Sequence, residues 1–133
     1  MLPPASYLHE QEKTQKRWPA ATRFIQEQQL NEFFGPDAQD FGIVLQGGLY
    51  NGVVRALQLL GLADTFGHTD VPLYVLNVTY PLVPQELTAF CANKTAVLLL
   101  EEGQPEYIEQ ELALTLRRQD IQTPLHGKDM LPQ

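Results

Sequence analysis

With 133 residues, 44% of them apolar and 19% charged, and a formal net charge of −7, the chain has the size and composition of one globular domain, which excludes disorder and disfavours polyanionic partners. A single cysteine, Cys91, excludes an internal disulfide, a cysteine-based zinc site and a ferredoxin-type cluster run, each of which needs several thiolates at close spacing. No apolar run approaches the roughly 20 residues that span a bilayer, and "MLPPASYLHEQEK" lacks the basic-then-apolar layout of a secretory signal, so the expected compartment is the cytoplasm.

The first 40 residues read as a helical arm. Lys13, Lys16 and Arg17 are interleaved with Glu10 and Glu12, the pattern of a solvated helix face rather than of a nucleic-acid footprint. A second helical piece begins at Pro19, which suits a first helical turn because no backbone N–H is needed there. Ala21, Phe24, Ile25, Leu30, Phe33 and Phe34 fall at roughly helical spacing, so this piece is expected to run to a stop at Gly35-Pro36. The arm has two possible homes, against its own domain or against a neighbour.

From Phe41 the texture changes, and residues 41–133 read as an α/β domain. "FGIVLQGG" is a short apolar strand ending in paired glycines; "LYNGVVRALQLLG" places Val53, Val54, Leu57 and Leu60 on one helical face, with Gly61 as a C-terminal stop. The alternation repeats in "VPLYVLNV" then "PQELTAFCA", in "TAVLLLEE" then "PEYIEQELALTLRRQ", and ends in "IQTPLHG". Strands alternating with helices imply a mainly parallel sheet of about four strands with right-handed crossovers, in three layers, helix on sheet on helix. "LYVLNV" and "AVLLL" are apolar almost throughout, as strands buried on both faces are. The last strand carries Pro124 and belongs at an edge.

In open parallel sheets, ligands bind beyond the carboxyl ends of the strands. Three joints occupy that level: "QGGLYNG", "NVTYPLVP" and "EEGQPE". Their rim candidates are Gly47, Gly48, Tyr50, Asn51, Thr79, Tyr80, Pro81, Glu101, Glu102 and Gly103. Gly47 and Gly48 suit a tight strand-to-helix turn or a phosphate cradle at a helix start, but neither GxGxxG nor GxxxxGK[ST] is present. Pro81 and Pro84 stiffen the second joint. Glu101 and Glu102 offer paired carboxylates for acid–base work, yet neighbours on a strand point to opposite faces, which favours a structural role. Cys91, inside "QELTAFCANK", reads as a buried small hydrophobe. His9, His68 and His126 are scattered and set no metal-ligand spacing, and Ser6, the only serine, lies in the arm. No catalytic or metal-binding residue emerges from this inventory.

Four stretches carry a resemblance: "FGIVLQGGLYNGVVRALQLLGL", "VPLYVLNVTYPLVPQELTAFC", "VLLLEEGQPEYIEQEL" and "LHGKDMLP". They resemble the domain that follows the pyrimidine-binding domain in indolepyruvate ferredoxin oxidoreductases, a domain similar to the transketolase C-terminal domain. "LPPASYLHEQEKTQKRWPAA" resembles the linker that precedes it in the long bacterial forms. The resemblance implies a parent enzyme that uses thiamine diphosphate with Mg2+ to decarboxylate aryl 2-oxoacids oxidatively, makes the acyl-CoA from coenzyme A, and passes electrons through iron–sulfur clusters to ferredoxin. This chain has no GDG-type diphosphate motif and no cysteine run, so it is expected to be an accessory, non-catalytic domain of that enzyme. As such it would be inactive alone, bind no cofactor of its own, and have as partners the other domains or subunits, with neither nucleic acid nor membrane among them. Two alternatives stand beside this reading: an autonomous module holding a small ligand or nucleotide at Gly47-Gly48, and a subunit-interaction module whose arm pairs through Phe24, Ile25, Phe33 and Phe34.

Overall fold

The computed structural model of the chain describes residues 19–36, 40–102 and 107–127. Helix α1 covers residues 19–27 and is followed by strand β1 (Glu32–Phe34), β2 (Phe41–Gln46), a single 3-10 turn (Gly47–Leu49), α2 (Tyr50–Leu59), β3 (Leu73–Leu76), α3 (Pro84–Cys91), β4 (Ala96–Leu100), α4 (Tyr107–Arg118) and β5 (Leu125–His126). The five strands form one sheet in the order β1-β3-β2-β4-β5. Four run parallel, and β1 is antiparallel to β3.

This order dictates the layers. The crossover from β2 to β3 moves toward one edge of the sheet, and those from β3 to β4 and β4 to β5 carry the chain toward the other. Right-handed crossovers that travel in opposite directions place their helices on opposite faces. One core accordingly packs Val54 and Leu57 of α2 on Ile43, Leu45, Leu73 and Val75. The other packs Leu87, Phe90 and Cys91 of α3, and Ile108, Leu112 and Leu116 of α4, on Val44, Tyr74, Leu76, Val97 and Leu99. Odd and even strand positions divide between the two cores, as the two-residue strand period requires.

The expected helix from Pro19 to Phe34 is corrected by the structure. α1 stops at residue 27 in a Schellman turn: Leu30 N–H donates to Ile25 O at 3.1 Å, Gln29 N–H to Gln26 O at 3.2 Å, and Gln29 sits at φ 52°. Phe33 and Phe34 then alternate across an edge strand instead of sharing a helical face. Phe33 stacks on Tyr74, with centroids 4.5 Å apart and planes at 4°, while Phe34 meets Tyr50 on the opposite side at 5.1 Å. The described part of the arm therefore covers its own sheet and adds the fifth strand. Gly61 does end its helix region as expected, at φ 76° with Leu62 N–H donating to Leu57 O at 2.8 Å.

A second correction concerns β4. Its residues were expected to be buried on both faces, but only Val97 and Leu99 are; Ala96, Leu98 and Leu100 are half-buried. The helices that follow β3 and β4 both went to the other face, and α2 alone does not reach across. His126 is half-buried in β5, beside Leu98 in the ladder.

A left-handed φ is costly for a residue that bears a β-carbon. Gln29→Gly is therefore expected to raise the stability of the chain by about 1 kcal/mol, read as a higher urea midpoint with an unchanged m-value. Leu112→Ala, in the second core, is expected to lower it by about 2–5 kcal/mol.

Candidate functional site at the strand ends

Strand order reverses between β2 and β4, so their carboxyl ends form the crevice where open α/β sheets bind ligands. In this chain the crevice is closed by its own polar side chains. The Gln46 carboxamide oxygen accepts the Glu102 main-chain N–H, tying the ends of β2 and β4 together. Glu102 Oε2 lies 3.7 Å from where a β-carbon of Gly48 would be. Asn77, just beyond β3, packs its carboxamide so closely on Gly47 that a β-carbon there would collide with it. The same carboxamide donates to Leu30 O at 2.9 Å and reaches Glu32 Oε2 at 3.3 Å. Gly47 is thus a packing glycine, and the arm, β3 and β2 meet at one residue.

Glu101 and Glu102 diverge. The Glu101 carboxylate turns to the first turn of α4, accepting from Glu109 N–H at 3.0 Å and Ile108 N–H at 3.4 Å. A carboxylate there satisfies otherwise orphaned donors and complements the helix dipole. Glu102 is exposed at the rim. The two do not share a site, and neither is set up as an acid–base pair.

The second joint is anchored from below. Tyr80-Pro81 is a cis peptide, Pro81, Leu82 and Val83 are buried, and Val78 N–H donates to Asn31 Oδ1 at 2.9 Å. Asn31 is itself buried and donates to Glu86 Oε1 at 3.2 Å, which also accepts the Tyr74 hydroxyl at 2.7 Å. Burial, followed by the hydrogen bond and charge of Glu86, drives the Tyr74 phenol far above its ordinary range and keeps it a donor. Tyr80 points outward and is mostly exposed.

Of the rim candidates, the structure brings Gly47, Gly48 and Glu102 together. Thr79, Tyr80 and Pro81 form the neighbouring joint after β3. Tyr50 packs on Phe34, Asn51 is exposed on the first turn of α2, and Gly103 lies outside the described residues. The residues that hold the rim together, Gln46, Asn77 and Asn31, carried no signal in the sequence: a single carboxamide has no spacing to betray it. Cys91 is buried, and desolvation pushes its thiol up to about 12, partly opposed by Lys94. It is inert at neutral pH.

Beside the rim, on the α2 side, runs an apolar groove of about 440 Å3. Leu49, Val53, Ala56 and Leu60 form one wall, and Leu98 and Leu100 of β4 form its floor. Leu60 in that wall and Leu59 just outside it are more than 70% exposed. This is the half of the sheet face that no described helix covers.

These residues do not suit thiamine diphosphate or its metal. A diphosphate at Gly48 would meet the Glu102 carboxylate, and among the described residues no group of three or more His, Cys, Asp or Glu side chains is placed to hold an ion. Nor, among those residues, is any helix long and apolar enough to cross a membrane.

No family model matches the sequence. Curated relatives do. Over 101 residues the chain is 33% identical to indolepyruvate oxidoreductase subunit IorA of Methanothermobacter marburgensis, a match covering 75% of this chain and 15% of that subunit. Over 104 residues it is 28% identical to the IorA subunit of Thermococcus kodakarensis, covering 78% and 15%. Among solved structures, a 2-oxoglutarate:ferredoxin oxidoreductase from Magnetococcus marinus with 2-oxoglutarate, coenzyme A and succinyl-CoA bound shares the fold, with a TM-score of 0.60, 19% identity, and 96% of this chain and 21% of that one covered. The mixed five-stranded α/β domain is thus of the kind found in oxoacid:ferredoxin oxidoreductases. The chain belongs to the indolepyruvate oxidoreductase family of the IorA subunits, and spans about one seventh of the length of the relatives it matches.

Gly47→Ala is expected to cost about 1–3 kcal/mol, the usual penalty of overpacking. In an Asn77→Ala background the penalty should shrink by at least about 1 kcal/mol, as a double-mutant cycle on melting free energies would show. Equal costs in both backgrounds would mean that Asn77 is not what Gly47 accommodates. The Cys91 thiol should resist an aromatic disulfide reagent at pH 8 in the folded chain and react once urea unfolds it.

Proposed function

We propose that this chain serves as an accessory, non-catalytic domain of an indolepyruvate oxidoreductase. The single observation that carries the reading is the apolar groove between α2 and β4, a sheet half-face that no described helix covers, on a chain that spans about one seventh of its relatives' length. Groove and exposed α2 leucines together form the kind of contiguous apolar surface that marks a contact with another protein surface. In this reading the rest of the enzyme supplies the cover. It also supplies the chemistry: decarboxylation of an aryl 2-oxoacid, capture of the acyl group by coenzyme A, and transfer of the electrons to ferredoxin. Thiamine diphosphate, Mg2+ and iron–sulfur clusters would be held by other domains, because the strand-end crevice here is filled by Gln46, Asn77 and Glu102. The strand-end rim has a positioning role, shaping the surface that faces those domains. The same filled crevice speaks against an autonomous nucleotide module at Gly47-Gly48.

Leu59→Glu combined with Leu60→Glu tests the reading. Both side chains are exposed in the isolated chain, so its melting should change by no more than about 0.5 kcal/mol. In the complete oxidoreductase the same pair should lower the yield of assembled, active enzyme severalfold. Normal assembly and turnover of the doubly substituted enzyme would reject the docking role of this face. Turnover of indolepyruvate by the isolated chain would reject the non-catalytic assignment.

A further inference from the structure

The loop between α2 and β3, residues 61–70, carries an exposed aromatic ring on a turn that the fold holds in place. Asp64 builds that turn. Its Oδ1 accepts the main-chain N–H groups of Phe66 and His68, each at 2.9 Å, and its Oδ2 lies 2.9 Å from His68 Nδ1. Across the turn, Asp64 N–H donates to His68 O at 2.9 Å and Gly67 N–H to Asp64 O at 3.2 Å, with Gly67 at φ 87°, an angle that glycine takes without strain. Gln58 of α2 donates from Nε2 to Asp64 O at 2.8 Å, and a bridge pairs Ala63 with Thr69 at the base. The loop is therefore tied at its tip, at its base and to the preceding helix.

Phe66 stands at this tip and is 85% exposed. Leu59 and Leu60 at the end of α2 are exposed as well, and Leu62 is at the edge of exposure. Scattered exposed apolar side chains are ordinary, but here they follow one another from α2 to the fixed tip. Leu60 also belongs to the groove wall, so the run continues the apolar surface of the groove past the end of α2. Its charge has one sign: residues 61–70 hold Asp64 and Asp70, both exposed, and no lysine or arginine. The main-chain N–H of His68, and then its ring, hold the Asp64 carboxyl below its ordinary value.

We propose that Phe66 is the anchor of a docking contact. On the accessory-domain reading, on which this inference rests, the surface of the oxidoreductase that covers α2 extends past its end and takes the Phe66 ring in an apolar socket bordered by lysine or arginine side chains. A ring on a preorganised turn loses little freedom on docking, and aromatic anchors seated in pockets carry much of the energy of such contacts. The carboxylates on either side of the ring select a basic border, because an acidic one would repel them and a wholly apolar one would desolvate them without compensation. A second copy of this chain, with the same acidic loop and a net charge of −7, is the poorer fit.

Hydroxyl-radical footprinting with side-chain-resolved mass spectrometry, applied to the isolated chain and to the complete oxidoreductase, tests the contact without altering the sequence. Phe66 should oxidise readily in the isolated chain and at least fivefold more slowly in the complete enzyme. Protection in the isolated chain would overturn the proposal: if it grows with concentration a second copy holds the ring, and if it does not the chain's own residues cover it. Protection of Leu59 and Leu60 in the complete enzyme without protection of Phe66 would overturn the anchor and leave the accessory reading standing. Equal oxidation of all three in both samples would overturn both. Asp70→Lys in the complete enzyme should raise the oxidation of Phe66 at least twofold, and an unchanged rate would overturn the basic border.

Discussion

Parallel pairing of β2 with both β3 and β4 is the constraint from which the rest follows. β2 lies at the centre of the sheet, with Val44 and Leu45 fully buried. Because β3 is laid on one side of it and β4 on the other, the crossovers diverge. α2 is left on one face, and α3 and α4 on the other. The same divergence creates the crevice at the ends of β2 and β4, and leaves β4 without a described helix over Leu98 and Leu100. A rim, a groove and a three-layer core are three consequences of one pairing pattern.

Carboxamides convert that frame into a particular surface. Gln46 ties β4 to β2, Asn77 ties β1 and the arm to the end of β3, and Asn31 ties the joint after β3 to α3 through Glu86. Each satisfies a main-chain group that a sheet end would otherwise expose. The strand ends are therefore rigid and polar but filled. Beside the filled crevice, the α2 side of β4 carries an apolar groove.

The two ends of the sheet differ in what they bury. At the carboxyl ends the charged groups are either at the surface, as Glu102 is, or engaged with a helix terminus, as Glu101 is. At the amino ends a lysine is buried against aromatic rings.

The alternation of apolar strands with amphipathic helices is local, and it was legible residue by residue: β2, β3, β4 and all three crossover helices lie where periodicity and the terminal Gly61 and Pro84 put them. Glu101 could be assigned a structural part from strand alternation alone. The end of α1 was not legible, because Gln29 has no bias toward the left-handed conformation that stops the helix, and Phe33-Phe34 fits a helical face as well as an edge strand. Strand order, the half-open face of β4 and the meeting of Asn77 with Gly47 all depend on contacts between residues far apart in the chain. Secondary structure and the apolar inventory are properties of short windows, so the sequence by itself determined them. Which face each helix covers, and therefore which surfaces stay open, was decided only when the tertiary structure chose a side for every crossover.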